Sequence, residues 1–189
     1  MDIETLYEIA AALNFNVEQL LYFPPNNNAV ISNSIPSTFF QHASRFYSYF
    51  YNGKNKRLVK CVMDIIEASD AYRYKVMMYM NVKDYDYYQD CENTYLGYIE
   101  NYDVLTSIIL KNQATHVEQI TINILASFLD SSTKWGLMSG VSFHPFMPIA
   151  LKMLFSKKPL KENKDLINEL KINKEDIRIM KMYNMMSIV

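Results

Sequence analysis

The spacing of apolar residues changes twice along the chain, and each change marks a predicted boundary. Residues 2–22 have helical spacing, which predicts two short helices. Between residues 38 and 156, apolar and polar side chains alternate, as they do in half-buried strands. After Pro159 the spacing becomes helical again, and Asn173 is a candidate cap for a final helix.

The alternating region predicts eight strands. They are expected over residues 46–51, 57–67, 72–82, 94–100, 103–112, 117–127, 134–142 and 149–156. Asn52 and Gly53 between the first two strands are a strong hairpin signal, and Pro145 and Pro148 are expected between the last two. Antiparallel strands in chain order must bury their apolar faces. We therefore expect an α+β fold with a barrel-like or strongly curved antiparallel sheet of about eight strands.

The same pattern divides the chain into four parts. A helical pair occupies residues 1–23, and a linker dense in proline and asparagine occupies 24–37. The β domain is expected over residues 38–160, and C-terminal helices over 161–189.

Charge and cysteine content exclude several classes of protein. The net charge is −1, from 19 basic and 20 acidic residues, so no general attraction to nucleic acid or anionic membranes is expected. No apolar run approaches the roughly 20 residues that span a bilayer, and no secretory leader is recognised. Cys61 and Cys91 form no zinc or disulfide pattern. Two reduced thiols in a cytoplasmic protein are the expectation, with Cys61 buried and Cys91 made unreactive by its acidic neighbours.

Signatures of catalysis or metal binding are not found. His42, His116 and His144 lie in separate segments and lack the spacing of metal ligands. Phosphate loops, dinucleotide fingerprints and nucleophile elbows are not recognised. We expect no enzyme, and hence no catalytic residues, no bound metal and no cofactor.

Aromatic and methionine side chains on the strands suggest a binding site. The chain has 15 Tyr and 12 Met, and if the sheet closes, one set of them points inward. Such an interior suits a small apolar or aromatic molecule, or a peptide. The simpler interpretation is that these side chains only fill the barrel, and both remain open. The candidate ligand-binding residues are Tyr47, Tyr49, Tyr51, Met78, Met80 and Trp135.

The first hairpin is locally basic. No acid lies between residues 37 and 60, and the cations there are Arg45, Lys54, Lys56, Arg57 and Lys60. They either contact an anionic partner or protect an edge hairpin against the addition of further strands, and the second interpretation is favoured.

Two short motifs point to a family. Residues 2–14 (DIETLYEIAAALN) and 17–21 (VEQLL) resemble the last two helices of XRE-type helix-turn-helix domains. Residues 95–100 (YLGYIE) and 135–142 (WGLMSGVS) are similar to the C-terminal region attached to such domains in clostridial-type bacteria. The family's recognition helix lies upstream of these motifs, so the resemblance assigns no DNA-binding residue to this chain.

The resemblance implies a regulatory domain of a bacterial XRE-family transcription regulator, acting by ligand sensing or dimerisation. Residues 1–23 would be the remnant of the helix-turn-helix domain, and residues 38–160 the sensor domain. We expect a homodimer that reaches DNA only through a part outside this chain, and no membrane contact. The alternative is a stand-alone barrel-like binding protein for an apolar small molecule.

Overall fold

Eight antiparallel strands form a closed barrel in which every strand pairs with its neighbours in chain order. The computed structural model describes residues 2–13, 17, 39, 44–70, 73–102, 104–115, 117–125, 131–143 and 146–187. The predicted antiparallel barrel is therefore confirmed, and its strands lie close to their predicted positions. They are β1 (Arg45–Asn52), β2 (Arg57–Asp70), β3 (Arg73–Met80), β4 (Asn93–Asn101), β5 (Leu105–Asn112), β6 (Gln119–Leu125), β7 (Thr133–Phe143) and β8 (Phe146–Ser156).

The barrel closes through a short seam between its first and last strands. Tyr47, Ser48 and Tyr49 of β1 pair with Ser156, Phe155 and Leu154 of β8. Among the described residues, the preceding part of β8 pairs with β7 alone, where Pro148 lies opposite Val141. Placing Pro148 between the strands was therefore wrong. A strand position with a ladder partner on one side only, as described for this part of β8, tolerates proline.

Helices lie at both ends of the chain. Helix α1 (Ile3–Leu13) begins at Asp2, whose carboxylate accepts a hydrogen bond from the Thr5 amide at 2.8 Å. The second predicted helix, apart from Val17, and the linker 24–37 lie outside the described residues. The predicted C-terminal helices are present as α2 (Lys164–Leu170) and α3 (Lys174–Tyr183). Asn173 caps α3 as expected, in a capping box with Asp176.

The inward faces of the strands supply the main core. Its centre is built of aromatic, aliphatic and methionine side chains with almost no accessible surface. Representative members from successive strands are Phe46, Met63, Met78, Ile99, Ile108, Ile122, Met138 and Phe155. Because these side chains lie against one another, the described interior is a packed core rather than an open channel.

Candidate functional site on the outer face of the barrel

The barrel divides the six candidate ligand-binding residues between two faces. Met78 is buried in the interior, and Met80 packs against the same cluster. Tyr49 lies on the outer face in a cluster with Leu154, Leu166 and Leu170, and Tyr47, Tyr51 and Trp135 pack against that cluster. Phe46 and Phe50 belong to the interior cluster, and side chains alternate along β1, so the odd-numbered tyrosines point outward. The six residues therefore do not form one pocket, and ligand binding by any of them stays a prediction.

A polar cluster links β4 to the turn between β5 and β6. Tyr95 Oη donates a hydrogen bond of 2.8 Å to one carboxylate oxygen of Glu118, and Asn112 Nδ2 donates one of 2.6 Å to the other. Burial and the bond to Glu118 both raise the pKa of Tyr95. These contacts tie the turn between β5 and β6 to β4. They leave the carboxylate satisfied, as a structural role requires.

Part of the outer face of β2 and β3 is apolar and covered. Its outward side chains include Val62, Met77 and Tyr79, each less than 5% exposed. They are covered by residues 81–92, the connection from β3 to β4, which we call the cover. Tyr88 of the cover packs edge-on against Tyr79, with ring centroids 4.9 Å apart. The strands in this region therefore bury both faces.

A buried ion pair holds the cover from beneath. Asp64 has no accessible surface, and one of its oxygens lies 2.7 Å from Arg45 Nε. Tyr88 Oη donates to the other oxygen at 2.8 Å, and the Arg45 guanidinium also lies over the Tyr88 ring. Burial disfavours the charged form of Arg45, but the bond to Asp64 and its charge outweigh that effect and raise its pKa. Burial, followed by the charge of Asp64, raises the pKa of Tyr88. The cluster is fully bonded, which favours an anchoring role.

A second segment lies beside the cover. Residues 157–170, which we call the strap, run from the end of β8 through α2. Leu166 and Leu170 of α2 are buried against Tyr49 and Leu154 on the outer face of the barrel. Beyond the strap, Asp176 of α3 forms a 2.7 Å ion pair with Lys152 of β8. The strap therefore covers the seam where β1 meets β8.

Tyr49 binds both the cover and the strap. Its hydroxyl accepts a hydrogen bond of 3.0 Å from Tyr85 Oη of the cover and one of 2.8 Å from the Leu160 amide of the strap. Burial raises the pKa of Tyr49, and burial together with the bond to Tyr49 raises the pKa of Tyr85. Both hydroxyls stay protonated near neutral pH. They act as hydrogen-bonding groups rather than as a base or nucleophile.

Lys60 makes the same double connection. Its ammonium donates to the Lys83 carbonyl of the cover at 3.1 Å and to the Glu162 carboxylate of the strap at 2.8 Å. It also lies 5.3 Å from the ring centroid of Tyr85. Two of the basic hairpin residues, Arg45 and Lys60, are thus engaged within the fold. Lys54, Lys56 and Arg57 remain exposed around the turn.

Among the described residues, the two cysteines lie in different apolar clusters. Cys61 lies in the interior, as expected, and burial raises the pKa of its thiol to about 12. Burial, with a contribution from Asp90, raises the pKa of the half-buried Cys91. His42, His116 and His144 lie outside the described residues. Within the described part of the chain, no group of three or more His, Cys, Asp or Glu side chains is placed to hold a metal, and no helix is long and apolar enough to cross a bilayer.

Sequence reasoning missed the residues that anchor the cover and the strap. Residues 83–93 lie between two predicted strands, but their path over the barrel was not predicted. A signal was present in residues 76–80, Val-Met-Met-Tyr-Met, which are apolar at inward and outward positions alike. Such a run indicates a strand that is buried on both faces. The partners of Arg45, Tyr49 and Lys60 have no comparable signal, because they lie far along the chain.

Comparison with known proteins adds no relative: no family model, curated protein or solved structure matches this chain.

Proposed function

We propose that this chain is the regulatory domain of an XRE-type helix-turn-helix transcription regulator, working through its outer surface and as a homodimer. The observation that carries the proposal is helix α1. Its sequence resembles the fourth helix of such domains, and three of its apolar side chains are largely exposed in the part of the chain that the structure describes, whereas Ala10 is buried. Ile3 is 71% exposed, Tyr7 61% and Leu13 54%. A helix of this length is marginal alone, so its apolar face needs a partner, which the rest of a helix-turn-helix domain would supply.

The packed interior bears on how such a regulator would work. Phe46, Met63, Met78 and Phe155 have no accessible surface. A ligand could enter only by displacing side chains that already fill the barrel. Contacts on the outer surface require no such displacement, and they favour signalling through partner contact. Helix-turn-helix regulators that read two half-sites act as dimers, which is the basis for expecting a homodimer.

The reading frame that precedes the Met1 codon tests the link to DNA binding. Three in-frame helices with a basic third helix support the proposal, whereas an in-frame stop codon next to a ribosome-binding site contradicts it. In the extended product, Tyr7→Lys should abolish operator binding, measured by fluorescence anisotropy. In the present chain the same substitution should change stability by less than about 0.5 kcal/mol, because Tyr7 is exposed. Val117→Lys, at a side chain that is 72% exposed on the turn before β6, is the matched control in both products.

Native mass spectrometry separates this proposal from the alternative, a stand-alone binding protein for an apolar small molecule. One observation favours the alternative: the interior contains Met63, Met78, Met138 and Met153, whose flexible side chains repack more readily than branched ones. A dimer without added mass supports dimerisation. An added mass that is lost on denaturation supports the alternative. A bare monomer contradicts the dimerisation part of the proposal.

A further inference from the structure

The two segments on the outer face share their anchors. Tyr49 and Lys60 lie directly opposite each other in the β1–β2 register, and each binds both segments. We propose that the cover (residues 81–92) and the strap (residues 157–170) open as one unit, coupled through the Tyr49–Lys60 pair. The inference does not depend on the proposed function.

The coupling follows from the contacts that are lost when either segment opens. When the cover leaves, Lys60 loses the Lys83 carbonyl and the Tyr85 ring, and Tyr49 loses the Tyr85 hydroxyl. Lys60 is only 16% exposed in the closed state, whereas Glu162 is 48% exposed, so opening the cover increases the exposure of the ion pair on the Lys60 side. An ion pair in water contributes much less than a shielded one. Loss of either segment therefore weakens the hold on the other.

Each segment also has anchors of its own. Tyr88 binds Asp64 and holds only the cover, whereas Leu170 packs on the barrel and holds only the strap. Because Tyr88 and Leu170 each hold one segment only, either segment can be loosened without changing a direct contact of the other. Joint opening would uncover Val62, Met77, Tyr49 and Leu154 together, all nearly inaccessible in the closed state. Opening would therefore expose both apolar areas together, whereas two independent loops would expose them separately.

Hydrogen exchange measured by mass spectrometry on the full chain tests the proposal. Tyr88→Phe removes two hydrogen bonds from the cover, the one that the Tyr88 hydroxyl donates to Asp64 and the one that it accepts from Arg45. It should raise amide exchange by at least about fivefold in both the cover and the strap. In the background Tyr49→Phe with Lys60→Met, the same substitution should raise exchange in the cover alone. Exchange in β5, residues 105–112, should be unchanged in every variant and reports that the barrel remains folded.

A matched control removes a tyrosine hydroxyl elsewhere. Tyr102→Phe deletes the bond to Glu100 and should leave exchange in both segments unchanged. In the converse experiment, Leu170→Ala loosens the strap and should raise amide exchange in the cover as well as in the strap. Faster exchange in the cover alone after Tyr88→Phe, or in the strap alone after Leu170→Ala, in otherwise unchanged protein overturns the proposal.

Discussion

Two pairs of neighbouring strands, β2–β3 and β5–β6, differ in how deeply their outward side chains are buried. In β5 and β6, buried inward residues alternate with half-buried or exposed outward residues along the whole strand. In β2 and β3, outward residues such as Val62 and Tyr79 are as deeply buried as inward ones such as Met63 and Met78. The β5–β6 pair meets water directly, whereas the β2–β3 pair lies beneath the cover.

The difference shows that the barrel has two apolar layers of unequal extent. The interior layer involves every strand, and it cannot be lost without unfolding. The outer layer lies over part of the surface and is held largely by hydroxyl groups, two ion pairs and a short helix. Groups that are held in this way open at lower free energy than a closed core. The inner layer should therefore set global stability, and the outer layer should set local opening.

The largest expected effect comes from the side of the barrel without a cover. A Cβ atom added at Gly97 of β4 would collide with the backbone carbonyl of Ile109 in β5. Because a backbone atom in a paired strand cannot move aside, Gly97→Ala should destabilise the protein by more than about 4 kcal/mol. Denaturant unfolding measures the change. Gly53→Ala is the control, because nothing lies within 4 Å of its added Cβ, and it should be neutral within about 0.5 kcal/mol. Equal effects of the two substitutions would contradict this account.

The same contrast explains how much of the structure could be predicted from sequence. The strict alternation in 105–112 and 119–125 placed β5 and β6 within two residues of their ends. In β1, Phe46 and Phe50 alternate with three tyrosines, and the pattern could not say which set points inward. The contacts of Tyr49 with Tyr85 and Leu160 span 36 and 111 residues of chain. Periodicity reports only near neighbours, so the barrel was predictable and the anchors of its outer layer were not.

A pair of aliphatic truncations compares the layers directly. Ile122→Ala removes a fully buried interior side chain and should cost about 3 kcal/mol of global stability. Leu166→Ala removes a side chain of the strap that is also buried, at 6% exposure, but it should cost less than about 2 kcal/mol, because the strap can detach from a folded barrel. Thermal unfolding and native-state hydrogen exchange together measure both effects. A global loss from Leu166→Ala that matches Ile122→Ala would show that the outer layer is part of the same cooperative unit.

Alkaline pH should lower the stability of the folded protein through ionisation of Cys61. Burial raises its pKa from an ordinary 9.0 to about 12, so the folded state favours the neutral thiol. Its contribution to stability is fully present below pH 9 and is lost as pH rises through 12. The urea midpoint should therefore fall over this range, and it should fall less steeply in Cys61→Ala. The tyrosines with raised pKa act in the same direction in both proteins, so the difference between the two curves isolates the thiol. Parallel curves would contradict the assignment.

The smallest expected effect comes from labelling the two cysteines, because each layer contains one of them. Cys91 closes the cover and is half-buried, with its thiol 3.5 Å from Thr94 Oγ1, whereas Cys61 is enclosed in the barrel. A thiol reagent at pH 8 should modify Cys91 at a rate set by opening of the cover, and Cys61 only at the rate of global unfolding. Mass spectrometry of labelled peptides measures both rates, and Cys91→Ser assigns them. Tyr88→Phe should accelerate labelling of Cys91 and leave that of Cys61 unchanged. Equal acceleration at the two cysteines would mean that the outer layer opens only when the barrel does.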